Sequence, residues 1–275
     1  MSVIAISETA GSLGTEIARS VAARLGYELA DREIITKAAD RFGEAATEIV
    51  HATEEKPTLW DRFRDTQRRY MTYVEAIVLE LAAADRVVLV GRGSAIVLAR
   101  FPNVLRVRVT APEGTRARRV EGGQGLTADA ALDYVQRSDR ELGARLRFFY
   151  HVDWDDSLRY DLVVNTDRLD VAAAVHTIEQ LLGDERFQTS PEVGRAILDA
   201  SLTAQAKAVL LRNPVTRPRQ IVVSCRDANL SLTGSVEVPS EREAAEAEVA
   251  RIPGVKHVGN EIVVLGAVRR GAGAA

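Results

Sequence analysis

Short apolar runs separated by helical patterns predict a chain of alternating strands and helices in the first two thirds of the sequence. Residues 2–6 are mostly apolar, as in a strand buried on both faces, and after a glycine-containing turn Ile17, Val21 and Leu25 follow helical spacing. Three later apolar runs predict further buried strands: RVVLVGRG, VLRVRV and YDLVVNT. Because strands that alternate with helices form a parallel sheet, we expect an α/β fold whose ligand crevice lies at the carboxyl ends of the strands.

A long helix is predicted over residues 58–84, because its apolar residues recur at helical spacings. This apolar stripe consists of Trp60, Phe63, Tyr70, Val74, Ile77 and Leu81, with Gln67 in the gap. Such a stripe is typical of a core helix and less often of a dimer seam, so a homo-oligomer is left open.

The pattern changes after residue 184. A long amphipathic helix over 191–212 is followed by segments with a period of two and by another helix over 240–251. The stretch Asp227-Ala228-Asn229 suits a hairpin turn, with Asn229 in the left-handed conformation. These features predict a small α+β domain at the end of the chain.

The predicted organisation is a first domain over 1–183, a linker over 184–192, a second domain over 193–266 and a flexible tail over 267–275. Because the second domain contains the elements needed to bury its own apolar faces, we expect it to fold alone. A chain that ends near residue 188 is therefore expected to keep the binding properties of the first domain.

Composition and charge exclude several classes of protein. With 46% apolar and 27% charged residues, the sequence is that of a soluble globular protein. A formal net charge of −3 gives no general attraction for nucleic acid, so a bound anion must be held by local groups. The single cysteine, Cys225, excludes an intramolecular disulfide and a multi-cysteine zinc site. With no export signal and no apolar segment of membrane-spanning length, a cytoplasmic location without integral membrane contact is expected.

The segment after the first strand has the glycines of a phosphate-binding loop. In such a loop, backbone N–H groups and the positive end of the following helix converge on an anion. The lysine of the pattern G-x-x-x-x-G-K-[ST] is missing, because its position is Gly14 and the preceding glycine position is Leu13. Taken alone, the motif fits an ordinary strand-to-helix turn equally well.

Arginines are concentrated between the third and fourth of these strands, on sequence with helical character where a lid could close. They are Arg116, Arg118, Arg119, Arg137, Arg140, Arg145 and Arg147. Alternatively, the later ones form a solvated helix face paired with Asp139 and Glu141 at i,i+4 spacing. The nearby His151, Asp153, Asp155 and Asp156 would allow a metal site, but a polar connecting loop is favoured, and the metal ligands stay unknown.

Three segments together resemble the cytidylate kinase-like family of P-loop nucleoside monophosphate kinases, over most of residues 1–183. They are ISETAGSLGTEIARSVAARLGYELADREII, VVLVGRGSAIVL and SDRELGARLRFFYHVDWDDSLRYDLVVNTDRLDVAAAV. The resemblance implies a P-loop NTPase-type parallel sheet flanked by helices. It also implies ATP-dependent phosphorylation of a nucleoside monophosphate similar to CMP or dCMP, with Mg²⁺ and an arginine-bearing lid.

The resemblance assigns roles to individual residues. In the lid, Arg137 and Arg140 would stabilise the transferring phosphoryl group, and Asp139 would orient them or the acceptor ribose. Such charges matter because phosphoryl transfer consists mainly of positioning and charge neutralisation. Arg92 would bind the acceptor phosphate, with an ion pair at the sheet edge as its alternative. Donor phosphates would be bound by the loop residues Gly11, Ser12, Gly14 and Thr15.

Several positions depart from the family pattern. Glu8 and Leu13 replace an arginine and a glycine of the loop, Val90 stands where an aspartate is common, and Leu142 replaces a lid arginine that Arg145 could supply. Glu8 would place a negative charge near the phosphates. A non-catalytic nucleotide-binding sensor or pseudokinase on the same fold therefore stays open, as does an interaction protein that binds no nucleotide.

The second domain resembles the BON domain across roughly residues 193–264. The resemblance rests on LTAQAKAVLLRNP, IVVSCRDANLSLTGSV and SEREAAEAEVARIPGVKHVGNEIVV, with Ala228 in place of the usual turn glycine. It implies a small α+β module that binds a ligand, a protein or a membrane surface and has no catalytic group. A regulatory or partner-binding role is expected, with a purely structural role as the alternative.

Overall fold

The computed structural model describes residues 2–49 and 61–266, and for residues 61–66 it describes only the helical backbone. The first half contains a five-stranded sheet in which every pairing is parallel, in the order β2-β3-β1-β4-β5. These strands are β1 (Val3–Glu8), β2 (Glu28–Ala30), β3 (Val87–Val90), β4 (Val104–Thr110) and β5 (Leu162–Asn165). The strands predicted from the apolar runs are present, but β5 lies at the edge of the sheet and is not buried on both faces, with Val163 44% exposed.

Helices cover both faces of this sheet. Two helix ends carry local caps: Gly26 ends the first helix with a φ of 64°, and the Thr127 side chain accepts a hydrogen bond from the backbone N–H of Ala130 at 3.3 Å. The helices of this half are α1 (Gly14–Leu25), α2 (Glu33–Phe42), α3 (Asp61–Ala83), α4 (Ser94–Val97), α5 (Glu113–Gln124), α6 (Ala128–Tyr150) and α7 (Val171–Leu182).

The long helix predicted over 58–84 is α3, which begins at Asp61. The apolar positions Tyr70, Val74, Ile77 and Leu81 are buried, and so is Gln67. Their cluster also includes residues of β1, β3 and α2, so this part of the stripe belongs to the core. Two predicted members of the stripe fall outside this test: Trp60 lies outside the described residues, and the side chain of Phe63 is among those not described.

The second half is a small α+β unit, as predicted. In its sheet, β6 pairs antiparallel with β7, while β8 and β9 both pair parallel with β7. Its elements are α8 (Pro191–Arg212), β6 (Gln220–Arg226), β7 (Asn229–Val236), α9 (Pro239–Ala250), β8 (His257–Asn260) and β9 (Val263–Val264).

The hairpin between β6 and β7 differs from the sequence prediction. The residues with positive φ are Asp227 (51°) and Ala228 (65°), whereas Asn229 is the first residue of β7. A two-residue hairpin turn that follows the strand twist needs positive φ at both central positions. The Asp199 carboxylate accepts the N–H groups of Asp227 and Ala228, each at 2.8 Å, and thereby stabilises a turn without glycine.

Helix α8 belongs to two hydrophobic cores. Ile197, Ala204 and Ala208 lie in the cluster that contains α3, whereas Leu202 and Ala206 lie in the cluster of the second sheet. These two sets fall on opposite faces of the helix, because residues three, four or seven apart share a face.

The expectation that the second half buries all of its own apolar faces is therefore not met, because one face of α8 packs on the first half. Helix α8 packs along α3, so a chain that ends near residue 188 would expose buried apolar surface of the first half. The domain boundaries themselves stay predictions.

Candidate functional site

The loop between β1 and α1 makes a tight turn at the carboxyl edge of the sheet. Gly11 and Leu13 have positive φ, 77° and 67°, and the Ser12 N–H donates to the Thr9 carbonyl oxygen at 3.0 Å. A leucine in this conformation costs about 1–2 kcal/mol, a cost that glycine avoids. Helix α1 begins directly afterwards at Gly14, so its positive end faces the sheet edge.

The carboxylate of Glu8 occupies the start of this helix. The Thr15 hydroxyl donates to Glu8 Oε1 at 2.9 Å, and the Thr15 backbone N–H donates to the same carboxylate. Burial raises the pKa of Glu8, the two bonds from Thr15 oppose this rise, and the negative charges of Asp31 and Glu16 add to it. An anion therefore already lies where a helix start would receive a phosphate.

Gly14 lies directly against this carboxylate. A Cβ atom at Gly14 would lie 2.4 Å from Glu8 Oε2 and 2.5 Å from Glu8 Cβ, so only glycine fits while Glu8 holds its position. Two residues of the predicted cradle of Gly11, Ser12, Gly14 and Thr15, namely Gly14 and Thr15, thus contact a side chain of the protein itself. Glu8 must move before a phosphate can take this position.

On its other side, the loop is held by Arg116 of α5, which is only 4% exposed. Its Nε donates to the Ala111 carbonyl oxygen at 2.8 Å, and its guanidinium binds both oxygens of Asp139, at 2.7 and 3.1 Å. A Cβ atom on Gly11 would lie 2.6 Å from the Arg116 carbonyl oxygen. Gly11 is therefore needed for the close approach of α5 to the loop.

Arg119 and Thr166 complete this support. Arg119 donates to the carbonyl oxygen of Gly11 at 3.2 Å and to that of Thr166 at 2.7 Å. The Thr166 hydroxyl, at the end of β5, donates to the Ser12 carbonyl oxygen at 2.9 Å. Because the carbonyl groups of the loop point toward these partners, its shape is fixed by α5 and β5 as well as by its glycines.

The second feature of this edge is the turn Gly91–Gly93 after β3. All three residues have positive φ, between 56° and 71°, and the Gly91 N–H donates to the Ile6 carbonyl oxygen at 2.8 Å, which ties the turn to β1. A Cβ atom on Gly93 would lie 3.1 Å from the Tyr150 ring. The non-glycine residue in the middle, Arg92, is thereby placed at the carboxyl edge, as predicted from the sequence.

Arg92 lines a cavity of about 330 Å³, which we call the edge cavity. Its lining combines three cationic and three acidic side chains: Arg92, Arg137, Arg145, Glu8, Asp31 and Glu141. The volume lies at the lower end of the range of small-molecule sites. The cations reach it from the turn after β3 and from α6, and Glu8 lines it from the end of β1.

Two predicted lid residues lie elsewhere. Arg140 is exposed and does not line the edge cavity. Asp139 pairs with Arg116 of α5, so the i,i+4 pairing suggested for it within the lid is wrong. Within the described residues, neither Arg137 nor Arg140 makes a salt bridge.

The acidic loop after α6 is held by its own contacts. Asp155 pairs with Arg108, Asp156 accepts the Leu158 N–H at 3.0 Å, and Asp153 accepts the Asp155 N–H at 3.2 Å. In the described parts of the chain, no three histidine, cysteine or acidic side chains are grouped to hold a metal ion. This stretch is therefore a polar connecting loop.

Sequence reasoning identified the glycines and Arg92 but missed the partners that shape the loop. The Glu8–Thr15 contact joins residues seven apart, and the contacts of Arg116 and Thr166 reach across more than a hundred residues. The one available signal was Glu8 itself, a carboxylate at a position where the family has an arginine.

The fold and the edge site define a class. A five-stranded parallel sheet, a glycine-containing loop that opens a helix at its carboxyl edge, and an arginine-bearing helix beside that edge are the architecture of P-loop-type kinases. The chain belongs to the cytidylate kinase-like family, whose model matches residues 3–168, and the BON domain model matches residues 198–266. It is thus related to nucleoside monophosphate kinase-like phosphotransferases.

Individual relatives agree with this assignment. The chain is 31% identical over 172 residues to a cytidylate kinase of Pyrobaculum calidifontis, a match that covers 62% of this chain and 87% of the relative. It is 27% identical over 183 residues to a cytidylate kinase of Ignicoccus hospitalis, covering 66% and 99%. An uncharacterized protein from Eubacterium ventriosum shares the fold with a TM-score of 0.54 at 19% identity, covering 67% and 100%.

In the parts of the chain that the structure describes, no helix is both long enough and apolar enough to cross a membrane.

Proposed function

We propose that the protein transfers the γ-phosphoryl group of ATP to a cytidine-type nucleoside monophosphate, CMP or dCMP. The observation that carries this proposal is the edge cavity, where Arg92, Arg137 and Arg145 surround one space beside the loop that opens α1. Three cations around a space of this size suit a phosphate group, because a guanidinium can bind phosphate oxygens in a bidentate manner. Membership in the cytidylate kinase-like family supports the choice of acceptor.

The reaction divides among the residues as follows. Arg92 binds the acceptor phosphate and fixes its attacking oxygen in line with the γ-phosphorus. Arg137 and Arg145 neutralise the charge that spreads over the γ-phosphoryl oxygens, and Arg140 joins them when α6 closes. A bond forms between the acceptor oxygen and the γ-phosphorus while the bond from that phosphorus to the β-phosphate oxygen breaks, and ADP leaves.

Donor phosphates occupy the loop of Gly11, Ser12, Gly14 and Thr15 after Glu8 has moved away. The backbone N–H groups and the positive end of α1 then face phosphate oxygens in place of the Glu8 carboxylate. Arg116 and Arg119 keep the loop in shape during this exchange, since their bonds are to carbonyl groups on its other side.

Mg²⁺ would enter together with the nucleotide. This ion keeps several waters and needs only one or two protein carboxylates besides substrate phosphates. Asp31, directly after β2 and in the lining of the edge cavity, fits this requirement, whereas the described residues offer no complete protein cage. When bound, Mg²⁺ supplies charge neutralisation between the β- and γ-phosphates.

One observation favours a second function, a nucleotide-binding sensor without turnover. Glu8 lies in the phosphate position, and its charge opposes a polyphosphate unless the side chain moves or is protonated. A sensor would release its nucleotide unchanged. A third possible function is that of an interaction protein that binds no nucleotide, and experiment must distinguish it from the kinase and the sensor.

A coupled assay of ADP release over a panel of nucleoside monophosphates, run beside calorimetric titration of ATP, CMP and dCMP, separates the three functions. The kinase predicts ADP release that depends on the monophosphate and is greatest with CMP or dCMP. Binding of nucleotide with no ADP release beyond the ATP-only control would establish the sensor. If no nucleotide produces binding heat or a thermal shift, only the interaction protein that binds no nucleotide remains.

For the BON-like region we propose a regulatory role, supported by the packing of α8 along α3. Its ligand or partner, the oligomeric state and the expected cytoplasmic location stay predictions.

A further inference from the structure

A larger cavity, of about 1070 Å³, lies between the two halves of the chain, and we call it the interdomain cavity. Its walls come from α3, from residues 96–102, from the last residue of α6, and from α8 and β6 of the second half. Both halves contribute apolar side chains, among them Leu79, Phe101 and Val223. The cavity is large enough for a ligand of nucleotide size.

Two partly buried polar side chains, Glu75 and Tyr150, line the cavity. The hydroxyl oxygen of Tyr150 is itself buried and interacts with the Glu75 carboxylate, although this contact falls short of normal hydrogen-bond geometry. Burial raises the pKa of Glu75, and burial together with the Glu75 charge raises that of Tyr150 well above its ordinary value. Buried polar groups of this kind are costly unless a partner satisfies them.

Two cations lie beside these groups. Arg100 and Lys207 are exposed, both line the cavity, and both are near enough to Glu75 to lower its pKa, against the larger effect of burial. Within the described residues neither forms a salt bridge, although the Arg100 guanidinium lies over the Phe101 ring at 4.9 Å. The cavity therefore offers a hydrogen-bond acceptor and a phenol inside, apolar walls, and positive charge near solvent.

We propose that the interdomain cavity binds a nucleotide with an amino-bearing base as an effector, at a site separate from the edge cavity. The base amino group donates to Glu75, the ring packs against the apolar walls, and the phosphates face Arg100 and Lys207. A fatty acid would offer the Glu75 carboxylate no hydrogen-bond donor, and inorganic phosphate would leave the apolar walls uncovered. A fatty acid and inorganic phosphate therefore both fit the lining less well than a nucleotide does.

The position of Tyr150 connects this cavity to the edge site. It is the last residue of α6, which carries Arg137 thirteen residues earlier, about 20 Å away along the helix. Its ring also lies against the backbone of Gly93, next to Arg92. Because the Glu75 carboxylate interacts with Tyr150, a ligand bound to Glu75 biases both α6 and the turn that holds Arg92. This regulatory consequence rests on the proposed function, whereas the binding of a nucleotide in the interdomain cavity does not depend on it.

Calorimetric titration of the full chain with CTP, UTP and ATP tests the proposal. The wild type is expected to bind CTP at two sites. Lys207→Ala, a change at an exposed residue, should weaken one of them about tenfold, as for a lost charge-assisted contact. Arg195→Ala removes an exposed cation from the same helix outside the cavity and should leave both sites unchanged.

Glu75→Gln tests base recognition, because a general loss of structure would weaken CTP and UTP binding equally and leave the preference between them unchanged. A glutamine amide can donate to the keto group of uracil, so the preference for CTP over UTP at this site should fall about tenfold. Gly14→Leu should remove the other site and leave this one intact. If the wild type lacks edge-site binding, a single site sensitive to Lys207 but not to Gly14 still supports the proposal. The proposal is overturned if Lys207→Ala leaves the CTP affinity of every site unchanged and Glu75→Gln leaves the preference for CTP over UTP unchanged.

Discussion

The loop after β1 and the turn after β3 lie at the same edge of the sheet, yet they present charges of opposite sign there. In the loop, the positive end of α1 is already occupied by the Glu8 carboxylate. In the turn, three residues with positive φ bring Arg92 to the edge cavity. The turn after β3 thus brings a cation to the edge cavity, whereas the start of α1 after the loop already holds an anion of the protein itself.

Breaking the loop should have the largest effect. Gly11→Val places a β-branched side chain at a φ of 77° and within 2.6 Å of the Arg116 carbonyl oxygen, so both strain and a backbone clash oppose it. We expect a loss of about 3 kcal/mol in the free energy of unfolding, measured by chemical denaturation. Gly123→Ala in α5 meets no atom within 4 Å and should be neutral or slightly stabilising. Equal stability of the two variants would contradict the role given to Gly11.

Removing the cation of the turn should affect the acceptor alone. Arg92→Ala is expected to raise the Kd of the monophosphate by about one to two powers of ten, because a charge-assisted contact is lost. The Kd of ATP, measured in the same titrations, should stay within about twofold because the donor loop is unchanged. An unchanged Kd for the monophosphate, or an equal loss for both ligands, would contradict the division between the two features.

A smaller change should loosen the loop without touching its glycines. Thr166→Val removes the hydroxyl that donates to the Ser12 carbonyl oxygen, at a cost of about 1–2 kcal/mol in stability. ATP should bind more weakly, while monophosphate binding through Arg92 is retained. If monophosphate binding falls and ATP binding does not, the support assigned to Thr166 is wrong.

Glu8 should also leave a signature in the pH dependence of stability. Burial raises the pKa of this carboxyl in the folded state, so the folded protein holds the proton more tightly than the unfolded chain does. The contribution of Glu8 to stability is therefore present at low pH and is lost as pH rises through the raised pKa. Glu8→Gln should gain melting temperature relative to the wild type above that pKa and lose this advantage below pH 4.5. A constant difference across the range would contradict the assignment.

Local patterns predicted the fold well because they depend on local physics. Apolar runs predicted the strands of the parallel sheet, and helical spacings of apolar residues predicted α1 and α3. The pattern of residues 191–212 predicted a helix but could not show that α3 covers its second apolar face, since periodicity reports which faces are apolar and not what packs on them.

The site was harder to predict because long-range contacts shape it. The sequence indicated which glycines form the loop, but the clamp of Arg116 and Asp139 depends on how α5 and α6 pack. The hairpin turn was misplaced by one residue because Asp199, from another element, stabilises positive φ at Ala228.

In the proposed function, the loop after β1 is a phosphate site that the Glu8 side chain holds closed. Calorimetric titration of ATP at pH 7.5 into the wild type, Glu8→Gln and Glu16→Gln tests it most directly, since Glu16 is an exposed acid in the first turn of the same helix. We predict that Glu8→Gln binds ATP about tenfold more tightly and that Glu16→Gln differs by less than about threefold. The advantage of Glu8→Gln should shrink as the pH is lowered and the wild-type carboxyl takes up its proton. Equal affinity of the wild type and Glu8→Gln, or weaker binding by Glu8→Gln, would contradict the claim.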